Sequence, residues 1–76
     1  MVDKLKLKGK IVEKGFTIGT LADKIGINRA SLYRKMDNSN GTMLIKDADA
    51  IASALNLTRD EVNDIFFSQY VAQNAN

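Results

Sequence analysis

The stretch that most constrains this chain is FTIGTLADKIGINRASLYRKM, residues 16–36. Ile18, Leu21, Ala22 and Ile25 recur at i, i+3, i+4 and i+7, the spacing of one buried helical face. Gly26 follows where the helix must stop and the chain must turn, a place glycine fills because it tolerates positive φ. Asn28 is a good N-cap, its side-chain oxygen able to take a free backbone N–H of the next turn. A second helix then runs from Arg29 to about Asp37. At roughly 100° per residue, Leu32 and Met36 share one side, while Ala30 and Arg34 lie nearly opposite with Tyr33 beside them. A short helix with a narrow apolar side and a cationic, aromatic outer side is suited to an anionic partner.

The flanking residues are read in the same way. Lys4, Lys6, Lys8 and Lys10 alternate with Leu5 and Leu7, which on its own fits a strand. The helical reading pairs Leu7 with Ile11 and Leu5 with Val12, and tolerates Gly9 at about 1 kcal/mol relative to alanine. Its lysines are either a basic arm toward phosphates or a solvated face. Thr17 is placed to cap the second helix. Residues 38–41, Asn-Ser-Asn-Gly, are a turn by composition. Ile45, Ala48, Ile51, Ala52 and Leu55 form the apolar face of a fourth helix, which Asn56 ends. Asp47 and Asp49 suit its positive end; as metal ligands they are a weaker reading. Thr58 to Glu61 match a capping box, starting a fifth helix with Val62, Ile65 and Phe66 inward. Phe66 and Phe67 are adjacent and cannot both face one core direction.

Size and composition narrow the classes. Seventy-six residues make one small domain, with 45% hydrophobic residues sufficient for one core and 26% charged residues arguing against disorder. There is no cysteine and no histidine, which removes disulfides, thiolate metal sites, the usual general base and the commonest zinc ligand. With no clustered acids to replace them, no catalytic constellation emerges and an enzyme is not expected. No cofactor, metal or small-molecule ligand is implied. No apolar run approaches the roughly 20 residues of a membrane span, and the start lacks a secretory pattern, so the expectation is a cytoplasmic protein with no membrane partner.

The net charge of +2 hides an asymmetry. Residues 1–36 hold nine Lys/Arg against three acids, giving +6, whereas residues 37–76 hold two against six, giving −4. A polyanion docking on the basic half is the partner such a distribution suits, although small domains also segregate charge by chance.

With KGFT at residues 14–17, LADKIG at 21–26, a capped helix after Asn28 and IASALN at 51–56 in order, the chain resembles the phage repressor and Cro family of helix-turn-helix proteins (XRE-like DNA-binding domains), from roughly Leu7 to Phe67. The resemblance implies an all-α, compact five-helix lambda-repressor-like domain spanning 1–76, its core at about 5–67. It also implies a sequence-specific transcriptional regulator that inserts the helix at about 29–37 into the major groove of a double-stranded DNA operator. The positions matching base readers are Arg29, Ala30 and Arg34, with Tyr33 at the edge. Arginine suits guanine O6 and N7, and alanine a thymine methyl. The plain alternative for Arg29 and Arg34 is helix-surface charge, with Arg34 paired to Asp37.

The backbone-contacting positions implied are Thr17, Ile18, Asn28, Ser31, Lys35, Asn38 and Asn40. Ile18 replaces a polar residue often found there, leaving its backbone N–H to meet the phosphate at the helix start. Lys35 stands where an apolar residue is common, so Met36 takes the inward contact and the helix is rotated slightly. Ile11 and Met36 occupy positions that in some members hold a buried Arg–carboxylate pair, and an apolar contact there avoids its desolvation penalty.

Phe67, Tyr70 and Val71 leave an apolar surface with two alternatives, a homodimer contact through the C-terminal helix or a helix that folds back on its own domain. Residues 72–76 are expected to fray. A second functional class remains: a protein-binding adaptor, antitoxin-like or anti-repressor-like, using the aromatic tail on the same fold.

Overall fold

The computed structural model describes residues 2–37 and 43–67. The described residues form five helices and no strand: α1 (Lys4–Glu13), α2 (Ile18–Ile25), α3 (Arg29–Met36), α4 (Ile45–Leu55) and α5 (Arg59–Phe66). None is long and apolar enough to cross a membrane. The expected helices at the start, after Thr17, after Asn28, at 45–55 and after Thr58 are all present. The third ends at Met36, with Asp37 as its extended C-cap.

Three of the four connections use one local device. Gly15, Gly26 and Asn56 take left-handed backbone conformations, with φ of 83°, 82° and 53°. Each is followed by an apolar residue that tucks against the core (Phe16, Ile27, Leu57) and then by an N-cap (Thr17, Asn28, Thr58). At each corner the apolar residue's N–H reaches back five residues: Phe16 to the Ile11 carbonyl at 2.9 Å, Ile27 to Ala22 at 3.0 Å, Leu57 to Ala52 at 2.9 Å. That bond, with one from the preceding residue's N–H that reaches back three residues, satisfies carbonyls that a helix end would otherwise orphan. Five positions after each plug stand Leu21, Leu32 and Val62, all in or against the same core. That spacing is the hydrophobic staple, which fixes the angle at which the chain enters a helix.

The caps are well made. Thr17 and Thr20 bond reciprocally, each hydroxyl accepting the other's backbone N–H, at 2.8 and 3.1 Å. Thr58 and Glu61 form the equivalent box, the Glu61 carboxylate accepting the Thr58 N–H at 2.8 Å and the Thr58 hydroxyl accepting the Glu61 N–H at 3.1 Å. α4 starts differently. Leu44 has no capping side chain, and the Asp47 carboxylate instead accepts the Leu44 N–H at 3.0 Å.

One core joins the helices. Leu7 and Ile11 of α1, Leu21 and Ala22 of α2, Leu32 and Met36 of α3, Ala48, Ile51 and Leu55 of α4, and Ile65 and Phe66 of α5 are buried together with Val2. α2 packs on both α3 and α4, while α5 packs on α1 and α4. Ala22 has no exposure, consistent with a small residue at a close crossing. Ile11 and Met36 are both in this core, in keeping with an apolar solution at those positions.

Two apolar lines read from the sequence are not buried along their whole length. Leu5 and Val12 share a face of α1, but it is the outward one, 81% and 74% exposed. The Leu7–Ile11 line takes the core, and α5 takes the flank carrying Lys6 and Lys10. Ile45 is 72% exposed, because the first turn of α4 overhangs the core and burial begins at Ala48. Phe66 and Phe67 divide as their adjacency requires, the first buried and the second partly exposed at the end of α5. Tyr70 and Val71, and the residues expected to fray, lie outside the described residues.

α1 and α5 are strapped together by polar contacts that the sequence reading did not find. The Asp3 N–H donates to the Ile65 carbonyl at 2.6 Å, and Asp3 also caps α1 by accepting the Lys6 N–H at 3.1 Å. The Lys6 ammonium lies 2.7 Å from Asp64, and Lys10 is paired with Glu61 and with Glu13. Lys6 and Lys10 are thus occupied within the fold, while Lys4 and Lys8 enter none of these pairs.

Lys10, with the Thr58 N–H, holds the Glu61 carboxyl down to about 2 from an ordinary 4.5. A depressed acid contributes stability that is complete above its unfolded value and is lost as pH falls through the folded one. Urea midpoints taken across that window should therefore fall with pH, and Glu61→Gln should flatten the fall; parallel curves would remove Glu61 from the account. Gly9, mid-helix and exposed, has nothing within 4 Å of where a Cβ would lie. Gly9→Ala is expected to raise stability by about 0.5–1 kcal/mol through helix propensity. An unchanged or lower urea midpoint would contradict it.

Candidate nucleic-acid interface

The α2–turn–α3 unit presents its outer surface because of what its inner surface must do. Leu32 and Met36, one turn apart on α3, are fully buried. Ala30, Tyr33 and Arg34 consequently lie on the exposed side, with Tyr33 42% exposed, and Arg29, the first residue of the helix, is exposed as well. The four residues read as an outward face are therefore all exposed.

The starts of the two helices are brought together. A Cβ placed on Gly19, in the first turn of α2, would lie 3.8 Å from Thr17 Oγ1 and 3.9 Å from Arg29 Cδ. The aliphatic stem of Arg29 thus passes beside the capped start of α2, where unpaired N–H groups and the helix dipole favour an anion. Thr17 is exposed and Ile18 half-buried against the core, so Ile18 offers backbone rather than side chain. Arg29 enters no ion pair among the described residues.

Other expected contacts are engaged inside the protein. The Asn28 side chain accepts the Ser31 N–H at 2.7 Å, so its oxygen is the α3 cap. The half-buried Ser31 hydroxyl accepts from Arg34 Nη2 at 3.3 Å, a bond that steadies the guanidinium over the helix.

Lys35 departs most from its expected place on the phosphate backbone. It stands six residues after Arg29, about 120° around the helix from it, on the flank toward α4, and its ammonium lies 3.0 Å from Asp47 Oδ2. Burial works to raise the Asp47 carboxyl, but the Leu44 N–H and the Lys35 ammonium outweigh it and hold it below the ordinary carboxylate value. The physical reason is reach. With Met36 committed to the core, the adjacent Lys35 is carried to the α3–α4 side, where Asp47 waits. Asn38 and Asn40 lie outside the described residues.

Away from this face, Val2, Met43, Leu44, Ile45, Ala48, Phe66 and Phe67 line an apolar groove of about 100 Å³ between the start of α4 and the end of α5. No charged side chain lines it. Only Phe67 of the expected C-terminal contact residues is among those described. No protein-family model matches the chain, and no curated protein or solved structure matches it significantly.

Proposed function

We propose that the chain is a sequence-specific double-stranded DNA-binding regulator of the phage repressor or Cro type, a cytoplasmic protein with a lambda-repressor-like helix-turn-helix fold. The observation that carries this reading is the outward set Arg29, Ala30, Tyr33 and Arg34 on a helix whose other side is locked into the core. α3 enters the major groove, Arg34 and Arg29 address guanine edges, Ala30 faces a thymine methyl, and Tyr33 lies at the rim. The start of α2, with Thr17, the Ile18 N–H and the neighbouring Arg29, meets a phosphate. The excess of cation in residues 1–36 supplies the sequence-independent attraction. Two copies, joined through their C-terminal helices, would occupy half-sites one helical turn apart.

The test is a selection of bound sequences from random duplex DNA, then a salt titration on the winner. A defined motif should emerge, with log K falling against log salt by roughly 0.9 per phosphate neutralised. Failure to enrich any motif, with no salt dependence, would end this reading.

A second reading is favoured by the uncharged groove with Leu44, Ile45 and Phe67 exposed at its rim. It makes the protein an adaptor that binds another protein through the α4–α5 end. A tight protein partner that persists when Arg29 and Arg34 are replaced, combined with salt-independent behaviour toward DNA, would select it.

A further inference from the structure

α3 is eight residues long, and its fully buried side chains are Leu32 and Met36. These stand four apart, on one line along the helix. A single line of buried contacts behaves like a hinge pin: it holds the helix to the core while resisting roll about that line only weakly. Roll matters because Arg34 lies on the far side, where rotation becomes sideways displacement. Productive recognition geometry tolerates only roughly 10–20° of error.

Off the pin, on the flank facing α4, sits Lys35. Its side chain is 21% exposed and that of Asp47 13%, and the ammonium lies 3.0 Å from Oδ2. The same oxygen accepts the Leu44 N–H at 3.0 Å. One carboxylate oxygen therefore belongs to two structures, the first turn of α4 and the side of α3. Because Asp47 is fixed by α4, its hold on Lys35 refers the angle of α3 to the position of α4. Among the described residues no other ion pair joins these helices. We infer that Asp47, acting through Lys35, is a positioning residue that sets the roll of α3 and thereby the sequence selectivity of its outer face. This rests on the DNA-binding reading above, but the tie itself has an independent readout.

The experiment uses the full chain, its selected duplex and a scrambled duplex of the same length. Lys35→Met keeps the packed stem and removes the charge; Asp47→Asn keeps an acceptor for Leu44 N–H. Each is expected to lower the ratio of selected to scrambled affinity by about tenfold, which is 1.4 kcal/mol, with scrambled affinity nearly unchanged. The double variant should be no worse than either single, since both changes cut the same tie, and Lys35→Arg should retain the ratio. Ratios unchanged in folded variants, or losses that add, would overturn the inference. Should a single variant fail to fold because one charge is left unpaired, the double variant carries the test by itself: an unchanged ratio overturns it, a reduced one supports it. If the wild-type protein prefers no duplex, the regulator reading falls, and the tie is judged from backbone amide shifts. The double variant should then move those of Arg29 to Met36 together, and their staying in place would refute the tie.

Discussion

Leu21→Ala is expected to cost about 2–5 kcal/mol, the range for deleting a buried leucine side chain when the cavity cannot fully collapse. Leu21 has no exposure, and α2 is the helix that packs on both α3 and α4, so the loss is felt on two interfaces at once. A chain of this size holds roughly 4–11 kcal/mol in total. The variant should therefore melt roughly 8–40 °C lower, and where the cost approaches the total it would be substantially unfolded at room temperature. Leu5→Ala is the control: that leucine is 81% exposed on α1 and its removal should change stability by no more than about 0.5 kcal/mol. Equal effects for the two leucines, measured by thermal and urea melts, would refute the division between core and surface drawn for α1 and α2.

Arg34→Ala is the corresponding test of the outer face. The side chain stands on the exposed side of α3 and is steadied by the Ser31 hydroxyl at 3.3 Å. If it reads a guanine, its loss should cost about 1–3 kcal/mol on the selected duplex and relax preference at one or two base pairs. Binding to scrambled DNA should fall much less, with a slightly shallower salt slope. A lysine outside the fold's internal pairs, such as Lys8 of α1, should behave oppositely and weaken all sequences alike if it meets DNA. Should Arg34→Ala leave both motif and affinity intact, the base-reading assignment is wrong and Arg29 or another face must be sought.

Much of the helical plan was legible because it is written in local chemistry. Gly26 before Asn28, Asn56 before Thr58, and the Thr58–Glu61 box each specify a backbone event within five residues, and each occurs where its chemistry places it. The Leu32–Met36 line and the outward Ala30–Arg34 side follow from angular arithmetic alone. What local reading missed is polar and distant. Lys6 finds Asp64 and Lys10 finds Glu61 across the fold, and no spacing along the chain announces such partners. Asp47 was legible as a helix-start acid, yet its hold on Lys35 depends on where Met36 is buried. Periodicity also overreached at helix ends. Ile45 and the Leu5–Val12 pair satisfy the repeat, but a repeat cannot say how far a core extends or which of two apolar lines wins it. A nearer signal was overlooked as well: Thr20, three residues after Thr17, completes a reciprocal cap with a hydroxyl where glutamate is usual.

The three corners at Gly15, Gly26 and Asn56 leave no slack in the chain. Each spends one residue on reversing the backbone, one on plugging the core and one on opening the next helix. An inserted residue would push either the plug into water or the cap out of register. Length variation is therefore barred from these joints. A library of insertions, scored for folding, should reject them at all three corners.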